Sequence, residues 1–202
     1  MERKIKSRKI PEVLTDYEQR QLINVFNTRY FYPYRNQTMI ELFLCTGLRL
    51  SEMTHLKWKD INLMTGQLKV VQGKNSKDRI LWISENMLNK LQIWKSKEFE
   101  RFGKCELVFC TSNHNPIDSK TMDTMIKTYS KKAGITKHIS CHTLRHTFAT
   151  DLLKATKNIR LVQKALGHSD ISTTMIYTHI VDYELEDALK NFRRLMTVKN
   201  NL

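Results

Sequence analysis

The sequence predicts a mainly helical α+β domain with a small three-stranded antiparallel sheet. Apolar residues recur at helical spacing in the first part of the 202-residue chain, as at Met39, Leu42 and Phe43. Between residues 60 and 83 the pattern changes to the alternation that is typical of strands. From Asp118 onward the segments are helical, and no repeat or low-complexity linker divides them. We therefore expect one mixed domain.

Capping and stop signals mark the first helices. Residues 1–12 form a basic leader, and Thr-Asp-Tyr-Glu at residues 15–18 has the form of a capping box that opens the first helix. A second helix should end at Gly47, because glycine readily takes the left-handed conformation that terminates helices. A short third helix is expected over residues 50–57.

The middle of the chain predicts the sheet, and the remainder predicts further helices. Three strands joined by two turns form a meander, and a short strand is expected later at residues 108–110. The predicted strands cover residues 61–63, 67–71 and 79–83, and the helices cover residues 85–101, 118–133, 142–156, 158–166, 170–178 and 182–196.

Composition narrows the class of partner. Lys and Arg total 34 against 20 Asp and Glu, and the net charge of +14 favours a polyanion such as nucleic acid. No apolar run approaches the roughly 20 residues that span a bilayer, and the basic N-terminus lacks the apolar core of a secretory signal. The cysteines form no CxxC pair, which predicts reduced thiols in a cytoplasmic protein rather than a disulfide framework or a zinc site: Cys45, Cys105, Cys110 and Cys141.

The segment His-Thr-Leu-Arg-His at residues 142–146 combines imidazoles with a guanidinium. His142 and Arg145 are three residues apart, so on a helix they share one face. A forked cationic donor beside an imidazole suits a phosphate. The spacing of His142 and His146 also allows metal binding, but the glutamate of a zinc protease motif is missing.

Two further segments are ambiguous when each is taken alone. Gly167 ends one helix and precedes another, so residues 158–178 fit a DNA-reading helix–turn–helix; alternatively, His168 and Tyr177 belong to an active site. Taken by itself, Tyr177 is typical of a half-buried helical tyrosine. Arg49 follows the helix-ending glycine, and Glu52 is close enough to orient its guanidinium, yet this pattern also fits an ordinary helix junction.

Taken together, these motifs resemble the tyrosine recombinase (phage integrase) family. The resemblance rests on Thr-Gly-Leu-Arg-Leu-Ser-Glu at 46–52, the lysine-bearing turn at 73–79, residues 142–146, Leu-Gly-His-Ser at 166–169 and Tyr177, in the order that the family uses. It runs from about Leu14 to Leu189, and it is strongest to Xer-type recombinases and the small invertases of fimbrial phase variation. It implies six catalytic residues: Arg49, Lys74, His142, Arg145, His168 and Tyr177.

The resemblance implies that Tyr177 attacks a DNA phosphodiester, which leaves a 3′-phosphotyrosyl link and a free 5′-hydroxyl. Arg49 and Arg145 would stabilise the charge that develops on the phosphate. His142 would be a general base or a positioning donor, and His168 a further phosphate donor. Lys74 resembles the general acid that protonates the leaving oxygen, with its neighbour Lys77 as the other candidate.

The same chemistry predicts that neither a cofactor nor a metal is required. The covalent intermediate conserves the energy of the broken phosphodiester bond, and the sequence has no P-loop and no acidic cluster of the two-metal nucleases. The expected partner is double-stranded DNA at a specific recombination site, with accessory DNA-bending proteins as further candidates. Two other functions remain open: relaxation of DNA by a type IB topoisomerase-like enzyme, and a non-catalytic helix–turn–helix regulator.

The resemblance also bears on domains and assembly. Most family members carry an N-terminal helical domain that closes around DNA, whereas about a dozen residues precede the first helix here. We therefore expect residues 13–202 to be the catalytic domain, without a core-binding domain, in either a small natural member or a fragment. The predicted terminal helix, residues 182–196, either packs on its own domain or docks on a neighbouring subunit of a DNA-bound tetramer.

Overall fold

A computed structural model describes residues 11–71, 78–168 and 173–180. The described residues form seven α-helices, an antiparallel pair of strands and two short 3-10 helices, at Trp58–Asp60 and Met175–Ile180. The helices are α1 (Asp16–Asn24), α2 (Phe31–Thr46), α3 (Leu50–Thr54), α4 (Glu85–Phe102), α5 (Ser119–Lys132), α6 (Cys141–Thr156) and α7 (Ile159–Leu166), and the strands are β1 (Gln67–Val70) and β2 (Arg79–Trp82).

The predicted start of α1 and end of α2 are confirmed in atomic detail. The Thr15 hydroxyl accepts from the Glu18 backbone N–H at 3.2 Å, and the Glu18 carboxylate accepts from the Thr15 backbone N–H at 2.8 Å. Gly47 ends α2 with a φ of 59°. A Cβ atom there would lie 2.2 Å from a ring carbon of Phe148, so both the backbone conformation and the packing require glycine.

The mixed, mainly helical fold is confirmed, but the prediction of three strands is wrong. Strands β1 and β2 pair with Gln67 opposite Trp82, whereas residues 61–63 contribute only a single bridge, between Ile61 and Leu68. The side-chain oxygen of Asn62 accepts from the backbone N–H groups two and three residues further on, at 3.0 and 3.1 Å. This local turn redirects the chain before a strand can extend.

Other predicted elements are shorter than expected. Helix α3 ends at Thr54 rather than at residue 57, and in place of the strand predicted at residues 108–110 there are isolated bridges at Leu107 and Cys110. The helix expected over residues 170–178 is, where described, the 3-10 helix Met175–Ile180. Three segments of the prediction lie outside the described residues: the first ten residues, the turn with Lys74 and Lys77, and the helix predicted at 182–196.

Two apolar cores share helix α6. The larger core is built around buried side chains such as Phe43 and Trp94, and Leu144 joins it from α6. The smaller core lies between α6, α7 and the last 3-10 helix: Ala149, Leu153, Val162, Leu166 and Tyr177. Within the part of the chain that the structure describes, no helix is both long and apolar enough to cross a membrane.

A buried ion pair ties the sheet to the helices. Both terminal nitrogens of Arg79, in β2, donate to the Glu52 carboxylate of α3, at 2.9 and 2.7 Å. The side chains are only 6% and 10% exposed, respectively. Burial alone would raise the pKa of Glu52, but hydrogen bonds from Arg79 and Arg49 lower it to about 2.

We predict that Glu52→Gln removes an acid-sensitive part of the stability. Because the folded-state pKa lies below the ordinary value of 4.5, ionised Glu52 stabilises the fold above about pH 4.5, and this stabilisation is lost as the pH falls towards 2. After allowance for solvent screening, its size is on the order of 2 kcal/mol. Urea unfolding at a series of pH values measures it.

Glu106→Gln is the matched control, because Glu106 forms an exposed ion pair with Lys57. That change should leave the free energy of unfolding nearly unchanged at every pH, because solvent screens an exposed ion pair. If Glu52→Gln and the wild-type protein lose stability in parallel between pH 5 and 2, the predicted contribution of the buried pair is wrong.

Candidate active site

A cleft of about 880 Å³ opens between α3, the start of α6, the end of α7 and the last 3-10 helix. Five of the six predicted catalytic residues line it, although they come from segments more than a hundred residues apart in the chain. The sixth, Lys74, lies outside the described residues. The functional side chains on the cleft wall are Arg49, His142, Arg145, His146, His168 and Tyr177.

Three arginines converge on the end of α7. Arg79 donates to the carbonyl oxygen of residue 165 at 2.8 Å, Arg145 to that of residue 166 at 2.8 Å, and Arg49 to that of residue 167 at 3.4 Å. The left-handed Gly167 ends the helix, so its last carbonyls have no helical N–H partners. The partial negative charge of a helix C-terminus stabilises guanidinium groups placed there.

Arg145 is the more buried of the two arginines that line the cleft, with 7% of its surface exposed. Its other terminal nitrogen donates to the carbonyl oxygen of Gly47, at the end of α2. Burial and the nearby Arg49 lower the pKa of Arg145 to about 10, so the side chain is still charged at neutral pH. As predicted, His142 shares its helix face, and both residues line the cleft.

Arg49 is the more accessible cation, with 40% of its side chain exposed. Glu52 orients it as predicted: its carboxylate accepts from the Arg49 guanidinium at 2.9 Å and from the Arg49 backbone N–H at 2.7 Å. The same carboxylate also binds Arg79, which is not among the predicted site residues. One buried anion therefore holds two of the three guanidiniums.

His168 lies directly against the arginines. Its Nε2 is 3.2 Å from a terminal nitrogen of Arg145, and its Nδ1 is 3.0 Å from the Thr174 hydroxyl. Because a guanidinium only donates, Nε2 accepts, and Nδ1–H donates to Thr174. Burial and the charges of Arg145 and Arg49 lower the pKa of His168 to about 4, so the imidazole is neutral at physiological pH.

Tyr177 lies at the cleft but is only 1% exposed. Its hydroxyl shares a hydrogen bond of 2.7 Å with Nδ1 of His146, and its ring packs in the smaller core. Burial raises the pKa of Tyr177 to about 12, although the charge of Arg145 acts in the opposite direction. The phenol is therefore neutral, and its hydrogen-bond partner in the described part of the chain is an imidazole.

His146 is the second contributor that the predicted set omits. Burial lowers its pKa, and the neighbouring His142 and Arg145 lower it further. The sequence did contain a signal, since residues 142, 145 and 146 share one helix face. Taken alone, that spacing indicates only a weak metal motif, whereas the structure places His146 against the Tyr177 hydroxyl.

The sequence and structure match known proteins over most of the chain. The model of the phage integrase family matches residues 12–184. Tyrosine recombinase XerD of Staphylococcus saprophyticus is 36% identical over 188 residues, which cover 92% of this chain and 63% of the relative. A tyrosine recombinase of Agathobacter rectalis is 39% identical over 158 residues, which cover 78% of this chain and 51% of the relative.

Solved structures show the same fold. The crystal structure of XerA recombinase has a TM-score of 0.79 at 31% identity, covering 92% of this chain and 66% of that one. XerH bound to its palindromic difH substrate, in a post-cleavage complex, has a TM-score of 0.81 at 27% identity, covering 95% and 56%. This chain spans between about half and two thirds of these relatives, and it belongs to the phage integrase family as a Xer-type tyrosine recombinase catalytic domain.

Proposed function

We propose that this chain is the catalytic domain of a site-specific DNA recombinase that cleaves and rejoins DNA through Tyr177. The observation that carries the proposal is the convergence of Arg49, Arg145, His168 and Tyr177 on one cleft. Family membership and the likeness to recombinase–DNA complexes support it. The proposed catalytic residues are Arg49, Lys74, His142, Arg145, His168 and Tyr177.

The arginines supply the electrostatic part of catalysis. A phosphodiester gains negative charge on its non-bridging oxygens as a nucleophile adds, and fixed cations stabilise that charge most when they need no reorganisation. Arg145 and Arg49 are already held by carbonyl groups and by Glu52. Arg49, being more exposed, is the group that first meets an incoming phosphate.

His168 changes its role when the phosphate binds. In the DNA-free protein its Nε2 accepts from Arg145, and the positive field of the arginines contributes to its low pKa. A bound phosphate anion offsets that field and raises the pKa of His168. The imidazole can then take up a proton at Nε2 and donate a hydrogen bond to a phosphate oxygen.

Tyr177 becomes a nucleophile when it leaves its buried position. Moving towards the arginines removes the burial that raises its pKa and brings the phenol close to positive charge, which favours the phenolate. His146, which holds the hydroxyl in this structure, and His142, on the exposed start of α6, are the imidazoles that can accept its proton.

The bond changes then balance without a cofactor. The Tyr177 oxygen bonds to phosphorus as the bond from phosphorus to the 5′ oxygen breaks. That oxygen takes a proton from Lys74, or from its neighbour Lys77. In the second step a 5′-hydroxyl of the partner strand gives its proton back to the lysine and attacks the 3′-phosphotyrosyl link, which restores the phosphodiester. The bond from phosphorus to the Tyr177 oxygen breaks, and the phenolate takes a proton back from the imidazole that accepted it.

The proposed partner is double-stranded DNA at a specific site. The net charge of +14 suits a polyphosphate, and the similar XerH structure is a complex with its difH substrate. We propose a DNA-bound tetramer in which residues 182–196 link subunits, with accessory DNA-bending proteins as further partners. Residues 13–202 would be the catalytic domain, and the site of action the cytoplasm.

The direct test uses DNA from the sequence that flanks the gene, cut into duplexes with a nick next to each candidate cleavage point. Cleavage beside a nick releases a short 5′-hydroxyl fragment that diffuses away, so the covalent intermediate accumulates. The wild-type chain should give a denaturation-resistant DNA adduct, and peptide mass spectrometry should locate it on Tyr177. Tyr177→Phe should form none, since the nucleophilic oxygen is gone.

Two variants sharpen this test. Tyr17→Phe changes an exposed tyrosine and should leave adduct formation unchanged. Arg145→Lys keeps the charge but removes the fork of donors, so the rate should fall by about 100-fold or more. Gel shifts run in parallel separate weak binding from absent chemistry: a DNA complex without an adduct, or an adduct that survives Tyr177→Phe, overturns the proposal.

A second prediction concerns the resting contact between His146 and Tyr177. A double-mutant cycle with His146→Phe, Tyr177→Phe and the double variant should give a coupling free energy of about 1 kcal/mol in urea unfolding. The coupling arises because each single change leaves a buried polar group without its partner. A coupling indistinguishable from zero would mean that this hydrogen bond does not hold the tyrosine in solution.

A further inference from the structure

We propose that Glu98, Cys105 and Cys110 bind a thiophilic divalent metal ion, of which zinc is the expected example. None of the three lines the cleft, so the site is separate from the proposed recombination chemistry. Glu98 lies in α4, and the two cysteines lie in the segment that follows it.

The three ligand atoms are grouped as a metal site requires. A carboxylate oxygen of Glu98 and the sulfurs of Cys105 and Cys110 all lie within 4.8 Å of one another. Tetrahedral zinc, with bonds of about 2.3 Å to sulfur and about 2.1 Å to oxygen, holds its ligand atoms roughly 3.5 to 4 Å apart. Small side-chain adjustments are therefore sufficient to close the shell.

The carboxylate is already oriented for this role. Glu98 is 2% exposed, and one of its oxygens accepts from the indole N–H of Trp58 at 3.1 Å. The other oxygen lies 3.4 Å from the Cys110 sulfur. A metal ion would replace the thiol proton between Cys110 and Glu98. The Trp58 indole would continue to orient the carboxylate through its hydrogen bond, as groups that hydrogen-bond to metal ligands commonly do.

The charges of the surroundings match a divalent ion. With both thiols ionised, the three ligands carry three negative charges in a largely buried place. The half-buried Arg35 donates to the Cys110 carbonyl oxygen at 3.4 Å, and it is attracted electrostatically to Cys110 and Glu98. One guanidinium leaves two negative charges, which a divalent cation neutralises.

The backbone around the cysteines is fixed before any ion binds. Val108 donates to the carbonyl oxygen of Leu56 at 2.8 Å and accepts from the Trp94 indole at 2.6 Å. Cys105 is only partly buried, which gives an ion a route in and leaves room for water as a fourth ligand. The sequence has no CxxC spacing at this site, because one of the three ligands, Glu98, comes from helix α4.

Cobalt(II) is the probe for this site, because a thiolate ligand gives it a near-ultraviolet charge-transfer band and a tetrahedral shell gives strong visible bands. The full chain, reduced and stripped with a chelator, should bind one cobalt ion with both features and release it to zinc. Cys105→Ser and Glu98→Gln should each weaken binding at least tenfold, as measured by chelator competition.

Cys45→Ser is the matched control, because it removes a thiol from α2 and should leave the cobalt spectrum unchanged. Glu98→Gln keeps an oxygen acceptor for Trp58, and Cys105 is partly exposed, so both test variants should remain folded; circular dichroism checks this. The proposal is overturned if no thiolate band appears, or if the spectrum persists in Cys105→Ser and Glu98→Gln.

Discussion

Three positive side chains placed side by side repel one another, and the rest of the site depends on what holds them together. Successive carbonyl groups at the end of α7 accept from Arg79, Arg145 and Arg49. The Glu52 carboxylate binds two of the three and, buried as it is, has a pKa of about 2. The carbonyls are available because α7 ends at the left-handed Gly167, and Arg79 connects β2 to this helix end and to α3.

The proposed nucleophile, Tyr177, is held by a different partner from those that hold the arginines. Arg145 and His146 are adjacent in α6, yet one binds the carbonyls of two helix ends and the other holds the Tyr177 hydroxyl. The groups that are proposed to bind the phosphate are thus assembled while the tyrosine stays neutral in the smaller core. Under the proposed function, the site would bind a phosphate before Tyr177 attacks it, and DNA would promote the release of Tyr177.

Helical spacing predicts one part of this site, whereas Arg49, His168 and Tyr177 are assigned to it only through the resemblance to the recombinase family. The helical register placed His142 beside Arg145, and the position of Gly47 predicted the end of α2. The sequence does not predict that Arg79 belongs to the site, because a charged residue in a strand is ordinarily exposed. In the structure Arg79 occupies the buried face of β2, and the neighbouring Ile80 is 56% exposed. Contacts with residues that are distant in the sequence decide which face of a strand is buried, and the sequence does not reveal those contacts.

Local side-chain bonds account for another difference. Asn62 caps its own turn and prevents the predicted strand at residues 61–63 from extending, an outcome that strand propensity alone does not predict. The contact between His146 and Tyr177 joins residues 31 positions apart. Helical spacing put His146 on the correct face, but only the fold could show which side chain it meets.

The protonation state of Tyr177 distinguishes a buried, neutral phenol from a phenolate that is ready to react. Carbon-13 NMR of the chain labelled at tyrosine Cζ, with Tyr177 assigned through Tyr177→Phe, measures it directly. In the free protein the Tyr177 signal should remain that of a neutral phenol beyond pH 10, the ordinary pKa of a tyrosine side chain, and its pKa should fall when a DNA half-site is bound. A Tyr177 signal that titrates near pH 10 in the free protein would contradict the buried, His146-bound state.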